Sequence, residues 1–149
     1  MIFIKNGRVV DPVSGIDSVM DVLVDGSMIV ATGDKAGELF DDKKSGAQII
    51  DASGLVVAPG LVDTHVHFRD PGFTYKEDII TGAAAAAKGG FTTVVCMANT
   101  KPPVDNVDTL EYILQKGGQT GIHVLSAATV TKGLAGKVLV DMEALAKAG

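Results

Sequence analysis

The spacing of apolar and polar residues changes near residue 57 and divides the chain into two parts. Over residues 1–57, short apolar segments are interrupted by the pairs Asn6-Gly7 and Asp25-Gly26. Such pairs tolerate positive φ and are typical of hairpin turns. We therefore predict short strands in a small β-sheet or a piece of a β-sandwich, without chemistry of its own.

Residues 58–149 follow a different pattern, in which strand-like and helix-like segments alternate. The segments "LVDTHVHF", "FTTVVCMAN" and "GIHVLSAAT" predict strands. Helices are predicted in "FTYKEDIITGAAAAAKGG", with Thr74 and Glu77 as a capping box and Gly89-Gly90 as its stop, in "VDTLEYILQKGG", and in "DMEALAKAG" with Asp141 as its cap. This alternation indicates an α/β fold with parallel strands joined by right-handed crossovers.

The number of predicted strands is too small for a closed barrel. Three strands cannot close one, and an eight-stranded barrel of this kind needs about 250 residues. The last predicted helix also ends at Gly149, where a fourth strand is due. We expect the 149 residues to be a truncated part of a larger domain, and an open sheet is the alternative.

Composition narrows the classes of partner. The net charge is −5 with both signs interspersed, and without a basic run we expect no nucleic-acid partner. No segment approaches the roughly 18 apolar residues of a membrane helix, and the N-terminus alternates like a strand. The single cysteine, Cys96, cannot form an intrachain disulfide and is expected in the core. We therefore expect a soluble protein of the cytoplasm.

Two of the three histidines stand together in "VDTHVHFRDPG". Side chains two residues apart on a strand share a face, so His65 and His67 can bind one divalent metal ion as neutral imidazoles. Arg69 has the same parity, and the strand's carboxyl end is where active sites of parallel folds lie. We predict a metal site beside an arginine; ordinary polar residues at a strand end are the alternative. Zinc needs further ligands from elsewhere.

Two other residues carry weaker signals. Asn99 closes the second predicted strand, where an amide could bind a substrate carboxylate or carbonyl, or simply begin a turn. His123 could be a third metal ligand, but its apolar surroundings favour a strand or packing residue.

The segments "GLVVAPGLVDTHVHFRDPG" and "YKEDIITGAAAAAKGGFTTVVCMANTKPPVDN" resemble the dihydroorotase branch of the amidohydrolase superfamily. The resemblance extends over essentially the whole chain. His-x-His marks the superfamily in general, whereas "HFRDPG" and "CMANT" are more specific. Related allantoinases typically carry Asn in place of Arg69, and hydantoinases differ around the His-x-His.

The resemblance implies an architecture and a reaction. A small β-sandwich built from both chain ends would flank a (β/α)8 TIM-like barrel; residues 1–57 would be a sandwich portion and 58–149 the first βα units of an incomplete barrel. The activity would be zinc-dependent, with one or two ions, and reversible. It would convert L-dihydroorotate to N-carbamoyl-L-aspartate in pyrimidine biosynthesis.

Position by position, the resemblance makes His65 and His67 zinc ligands, and Arg69 and Asn99 the residues that hold the substrate carboxylate. His67 would also lie in contact with the substrate. The remaining ligands and the general base would lie beyond Gly149, so no catalytic base is assigned and the isolated chain is expected to be inactive.

Two alternatives stay open. One is an allantoinase- or dihydropyrimidinase-type cyclic amidohydrolase. Arg69 argues against it, because an arginine there predicts a substrate with a carboxylate beside the scissile ring. The other is a non-catalytic dihydroorotase-like subunit that scaffolds aspartate carbamoyltransferase, against which His65 and His67 argue. A homo-oligomer is compatible with each.

Overall fold

A computed structural model describes residues 1–40 and 46–149 and shows a mixed α/β protein. Its backbone forms two compact units, Met1–Pro59 and Gly60–Gly149. Residues 41–45, which belong to the predicted β-rich part, lie outside the described residues. Among the residues described, no helix is long and apolar enough to cross a membrane.

The first unit is one sheet with a short helix. Its elements are β1 Ile2–Asp11, β2 Ile16–Asp25, β3 Met28–Thr32, α1 Asp34–Leu39, β4 Gln48–Asp51 and β5 Val56–Val57. Strand order is β3-β2-β1-β4, with β5 also paired to β1; the β1–β2 and β2–β3 pairs are antiparallel. Phe3 stacks on Phe40 at 4.3 Å between ring centres and packs with Leu23, Ala31 and Ala36.

One of the two predicted hairpin turns is wrong. Asp25-Gly26 joins β2 to β3 as predicted, with φ 56° at Gly26. Asn6-Gly7 instead lies inside β1, where the register with β2 shifts and Asn6 has φ 60°. Some β-bulges place a residue at positive φ, as tight hairpin turns do, so the residue pair alone cannot distinguish the two. The helix α1 was not predicted.

The second unit carries the predicted alternation of strands and helices. Its elements are β6 Leu61–Val66, α2 Ile79–Lys88, β7 Phe91–Cys96, α3 Val107–Gly117, β8 His123–Ser126, a 3-10 turn Lys132–Leu134 and α4 Met142–Ala148. The strands are parallel and adjacent in sequence order, β6-β7-β8, as predicted. Val66, Cys96 and Ser126 lie in register, so the carboxyl ends of all three strands meet at one edge.

A single apolar cluster joins the helices to the sheet in this unit. Cys96 is 4% exposed within it, as expected of a core residue, and burial raises the pKa of its thiol to about 11. Helix α2 packs closely against Phe68 at Gly82. A Cβ on Gly82 would lie only 2.5 Å from Cδ1 of Phe68, so a larger residue would not fit there. The cluster contains Phe68, Ile79, Ala83, Val94, Cys96, Val104, Leu110, Ile113, Val124, Val140 and Leu145.

The predicted capping box of α2 is also wrong. The helix begins at Ile79, and the Asp78 carboxylate accepts hydrogen bonds from the backbone N–H of Ile80 and Thr81 at 2.7 and 3.0 Å. Aspartate is as good an N-cap as threonine, so Asp78 can start the helix four residues after Thr74. The predicted stop at Gly89 and the predicted cap Asp141 are confirmed.

Candidate metal and substrate site

Two histidine rings converge where β6 ends. His65 is the penultimate residue of β6 and His67 is the first after it. Their ring centres are 5.2 Å apart and the planes meet at 68°, so both side chains point to the same side. His65 is exposed and His67 half-buried, which leaves the pair open to a ligand.

The spacing of the two rings fits a shared zinc ion. Zinc lies about 2.1 Å from an imidazole nitrogen and the ring centre is roughly 1.2 Å farther, so two imidazoles at a tetrahedral angle have centres about 5 Å apart. The observed 5.2 Å agrees with that arrangement. Within the described part of the chain, no group of three or more His, Cys, Asp or Glu side chains could hold a metal. The described residues therefore bring two histidines together here, without a third potential ligand of these types beside them.

Asn99 contacts one of the histidines directly. It lies three residues after β7 ends, and its side-chain Oδ1 is 2.9 Å from Nδ1 of His67. This contact was not predicted, although both residues follow neighbouring parallel strands. The structure therefore places the predicted carboxylate-binding amide against a predicted metal ligand.

Arg69 has an uncommon backbone conformation. Its φ of 62° lies in the left-handed region, which costs a non-glycine residue about 1–2 kcal/mol. The Arg69 carbonyl accepts from the N–H of Phe73 at 2.9 Å, and the Pro71 carbonyl accepts from the N–H of Lys101 at 3.0 Å. A Cβ on Gly72 would lie 2.0 Å from the Lys101 oxygen. The loops after β6 and β7 are thus packed backbone against backbone, with Arg69 and Asn99 on them.

A buried carboxylate anchors the loop that carries Arg69. Asp70 is 2% exposed and accepts hydrogen bonds from Lys116 Nζ at 2.5 Å, from the Tyr112 hydroxyl at 2.9 Å and from the Ile79 N–H at 3.3 Å. These contacts connect the residue after Arg69 to helix α3 and to the start of α2. This anchor was not predicted from the sequence.

The Asp70–Lys116 pair supports a prediction about stability. Breaking a buried ion pair costs about 3–5 kcal/mol. Because the Lys116 side chain is 27% exposed, we expect a smaller loss for Lys116→Met, about 2–3 kcal/mol. The hydrogen bond to Asp70 raises the pKa of Lys116 above its ordinary 10.5. The pair's contribution is therefore complete below about pH 10 and is lost as pH rises through the raised pKa.

Urea unfolding of wild type and variant between pH 7 and 11 measures this contribution. The difference between the two proteins should shrink above pH 10.5, the ordinary pKa of Lys116. Lys147→Met is the matched control, since its pair with Glu143 is 75% and 80% exposed and should contribute under about 0.5 kcal/mol. A difference that stays constant over the whole pH range would contradict the assignment.

The third histidine lies away from the site. His123 is the first residue of β8 and pairs with Thr93, which in turn pairs with Val62 near the start of β6. The rise of a strand puts Val62 about 13 Å from Val66, at the opposite edge of the sheet. The structure does not bring His123 to the histidine pair, and it is a strand residue, as the sequence favoured.

Comparison with known proteins identifies the family to which this parallel βα chain belongs. Residues 54–149 match the family described as dihydro-orotase-like, and the chain belongs to that family. It is 60% identical over all 149 residues to a dihydroorotase of Clostridioides difficile and 54% identical to one of Clostridium acetobutylicum. In each case it covers 34% of the relative, so the chain spans about a third of the length of these curated proteins.

Solved structures of two hydantoinases share the fold. An L-hydantoinase from Arthrobacter aurescens superposes with a TM-score of 0.68 at 27% identity, over 87% of this chain and 28% of that one. A D-hydantoinase from Thermus sp. gives 0.66 at 26% identity, over 88% and 28%.

Proposed function

We propose that the protein containing this chain is a zinc-dependent dihydroorotase. It interconverts L-dihydroorotate and N-carbamoyl-L-aspartate in pyrimidine biosynthesis, and it acts in the cytoplasm. The observation that carries the proposal is the His65–His67 pair, 5.2 Å between ring centres, at the same strand edge as Arg69 and Asn99. Family membership and the 60% identity to a dihydroorotase support the same substrate.

The chain's residues would divide the work as follows. His65 and His67 present neutral nitrogens to the ion, and Arg69 binds the substrate carboxylate through two parallel charged hydrogen bonds. Asn99 donates from its amide to the same carboxylate. Zinc, when bound, supplies Lewis acidity toward the amide carbonyl and activates water at neutral pH. The general base and the other ligands would come from residues outside this chain.

The proposal includes the architecture around the site. We propose that β6–β8 with α2–α4 are the first units of a (β/α)8 barrel, and that β1–β5 belong to a small β-sandwich. Leu125 supports the first part: it is 49% exposed although its neighbour Val124 is 6% exposed. Val124 therefore lies on the face packed on helices, and Leu125 lies on the opposite face, which further barrel strands would cover.

A substrate panel tests the proposal. The complete gene product that contains these residues should hydrolyse dihydroorotate in preference to dihydrouracil, hydantoin and allantoin, which lack the carboxylate beside the ring. A hydantoinase-type activity on rings without this carboxylate is the second candidate function, because solved hydantoinases share the fold. Preference for a ring without the carboxylate would overturn the proposed substrate and support that candidate.

Metal content separates an enzyme from a non-catalytic subunit. We expect one or two zinc ions per complete gene product. A protein without zinc and without hydrolysis that still co-elutes with aspartate carbamoyltransferase would instead be a scaffolding subunit. The elution volume of the protein alone measures whether it forms a homo-oligomer.

A further inference from the structure

We infer that Asn99 is a positioning residue for His67, with its amide oxygen fixing the tautomer of a metal ligand and its amide nitrogen serving the substrate. This inference rests on the proposed function and adds a second role to Asn99, exerted on the protein rather than on the substrate. The juxtaposition that carries it is the 2.9 Å contact between Asn99 Oδ1 and His67 Nδ1.

The chemistry of the two groups assigns the proton. A carbonyl oxygen only accepts hydrogen bonds, so the Nδ1 that faces it must carry the hydrogen. A neutral imidazole has one protonated nitrogen, which leaves Nε2 of His67 with a free lone pair for the ion. The reverse amide orientation would place the proton on Nε2 and block it. The role of His67 as a metal ligand and the position of Oδ1 therefore require each other.

The backbone holds Asn99 in this place from both sides. Before it, the Met97 N–H donates to the Val66 carbonyl of β6 at 2.9 Å. After it, the Thr100 hydroxyl donates to the Pro102 carbonyl at 2.6 Å, and the Lys101 N–H donates to Pro71. These hydrogen bonds hold the loop after β7 so that the Asn99 amide lies against the His67 ring.

Both N–H groups of the Asn99 amide are free to donate to a second partner. The Asn99 amide oxygen accepts the hydrogen bond from His67. Among the described residues, the Asn99 amide nitrogen Nδ2 donates no hydrogen bond. Those two N–H groups can donate to the substrate carboxylate next to Arg69. One side chain then connects the metal ligand to the part of the substrate that is recognised.

Outer partners of ligating histidines are worth 10–100-fold in metal affinity, because they orient the ring and raise its basicity. In the complete gene product, Asn99→Ala removes both the acceptor and the donors. Asn99→Asp keeps an oxygen acceptor for Nδ1–H and replaces the donors with an oxygen that repels a carboxylate. The two variants therefore separate the two roles.

The readouts are zinc affinity, measured by chelator competition without substrate, and KM for dihydroorotate. We expect Asn99→Ala to weaken zinc binding about 10–100-fold and Asn99→Asp to restore at least wild-type affinity. KM should rise about tenfold or more in both, as when a hydrogen bond to a charged group is lost. Asn106→Asp is the matched control: Asn106 caps α3 through the Thr109 N–H at 2.9 Å, and aspartate caps equally well, so neither readout should change.

Wild-type zinc affinity in Asn99→Ala, or an Asn99→Asp variant that binds zinc as poorly as Asn99→Ala, would overturn the positioning role. A wild-type protein that binds no zinc would overturn it as well. If zinc affinity follows the expected pattern but dihydroorotate is not a substrate, the positioning role is supported and the proposed substrate fails. The two failures are thus distinguishable.

Discussion

Replacing His65 or His67 with alanine is expected to lower kcat for dihydroorotate hydrolysis about 10³-fold or more in the complete gene product. The ion contributes several kcal/mol of charge stabilisation, and each 1.36 kcal/mol corresponds to roughly a factor of ten in rate. The two ring centres are 5.2 Å apart, so removal of either side chain would deprive the proposed zinc ion of one of the two ligands proposed in this chain. Stopped assays of turnover and metal analysis of the same samples measure both effects.

The remaining histidine provides the control for this experiment. His123 begins β8 at the opposite sheet edge, so His123→Ala changes the same residue type without touching the pair. We expect wild-type zinc content and turnover in that variant. Equal losses in all three alanine variants would indicate a general folding defect, and full activity in His65→Ala would exclude it as a ligand.

The second large effect is expected from Arg69→Lys, which should raise KM for dihydroorotate about 10–100-fold and leave zinc content unchanged. A guanidinium can make two parallel hydrogen bonds to a carboxylate, whereas an ammonium is a point charge. Loss of one charged hydrogen bond costs about 1.5–3 kcal/mol, which gives this range. Lysine tolerates the φ of 62° no worse than arginine does, so the backbone should be retained.

A carboxylate-free ring is the internal control for Arg69. Turnover of dihydrouracil, however slow, should be equal in wild type and Arg69→Lys, because that ring offers the guanidinium no carboxylate. A KM for dihydroorotate equal to that of wild type would show that Arg69 does not bind the carboxylate. A parallel loss with both rings would indicate that the substitution disturbs the site as a whole.

Local sequence signals foresaw the second unit well. The apolar spacing and the terminal glycines placed α3, which ends at Gly117, and Asp141 predicted the start of α4. The parallel order of β6–β8 follows from the alternation of strands and helices, a pattern with few possible topologies. Parity on a single strand was also enough to put His65 and His67 on the same side.

Other features depended on information that is not local. Asn6-Gly7 suits a hairpin or a bulge, and only the pairing of β1 with β2 decides between them. Thr74 and Asp78 both can cap a helix, and the loop geometry selects Asp78. Asp70 and Lys116 are 46 residues apart in the sequence, so no periodic pattern reveals their ion pair. The Asn99–His67 contact likewise required the β6–β7 adjacency and the exact paths of two loops.

Reconstitution with zinc is the most direct test of the proposed metal-dependent hydrolase. The complete gene product is stripped of metal with a chelator, and dihydroorotate turnover is measured before and after zinc is added, beside the His65→Ala, His67→Ala double variant. We predict no turnover without metal, recovery in the wild-type protein and none in the double variant. Equal turnover with and without metal, or recovery in the double variant, would contradict the account.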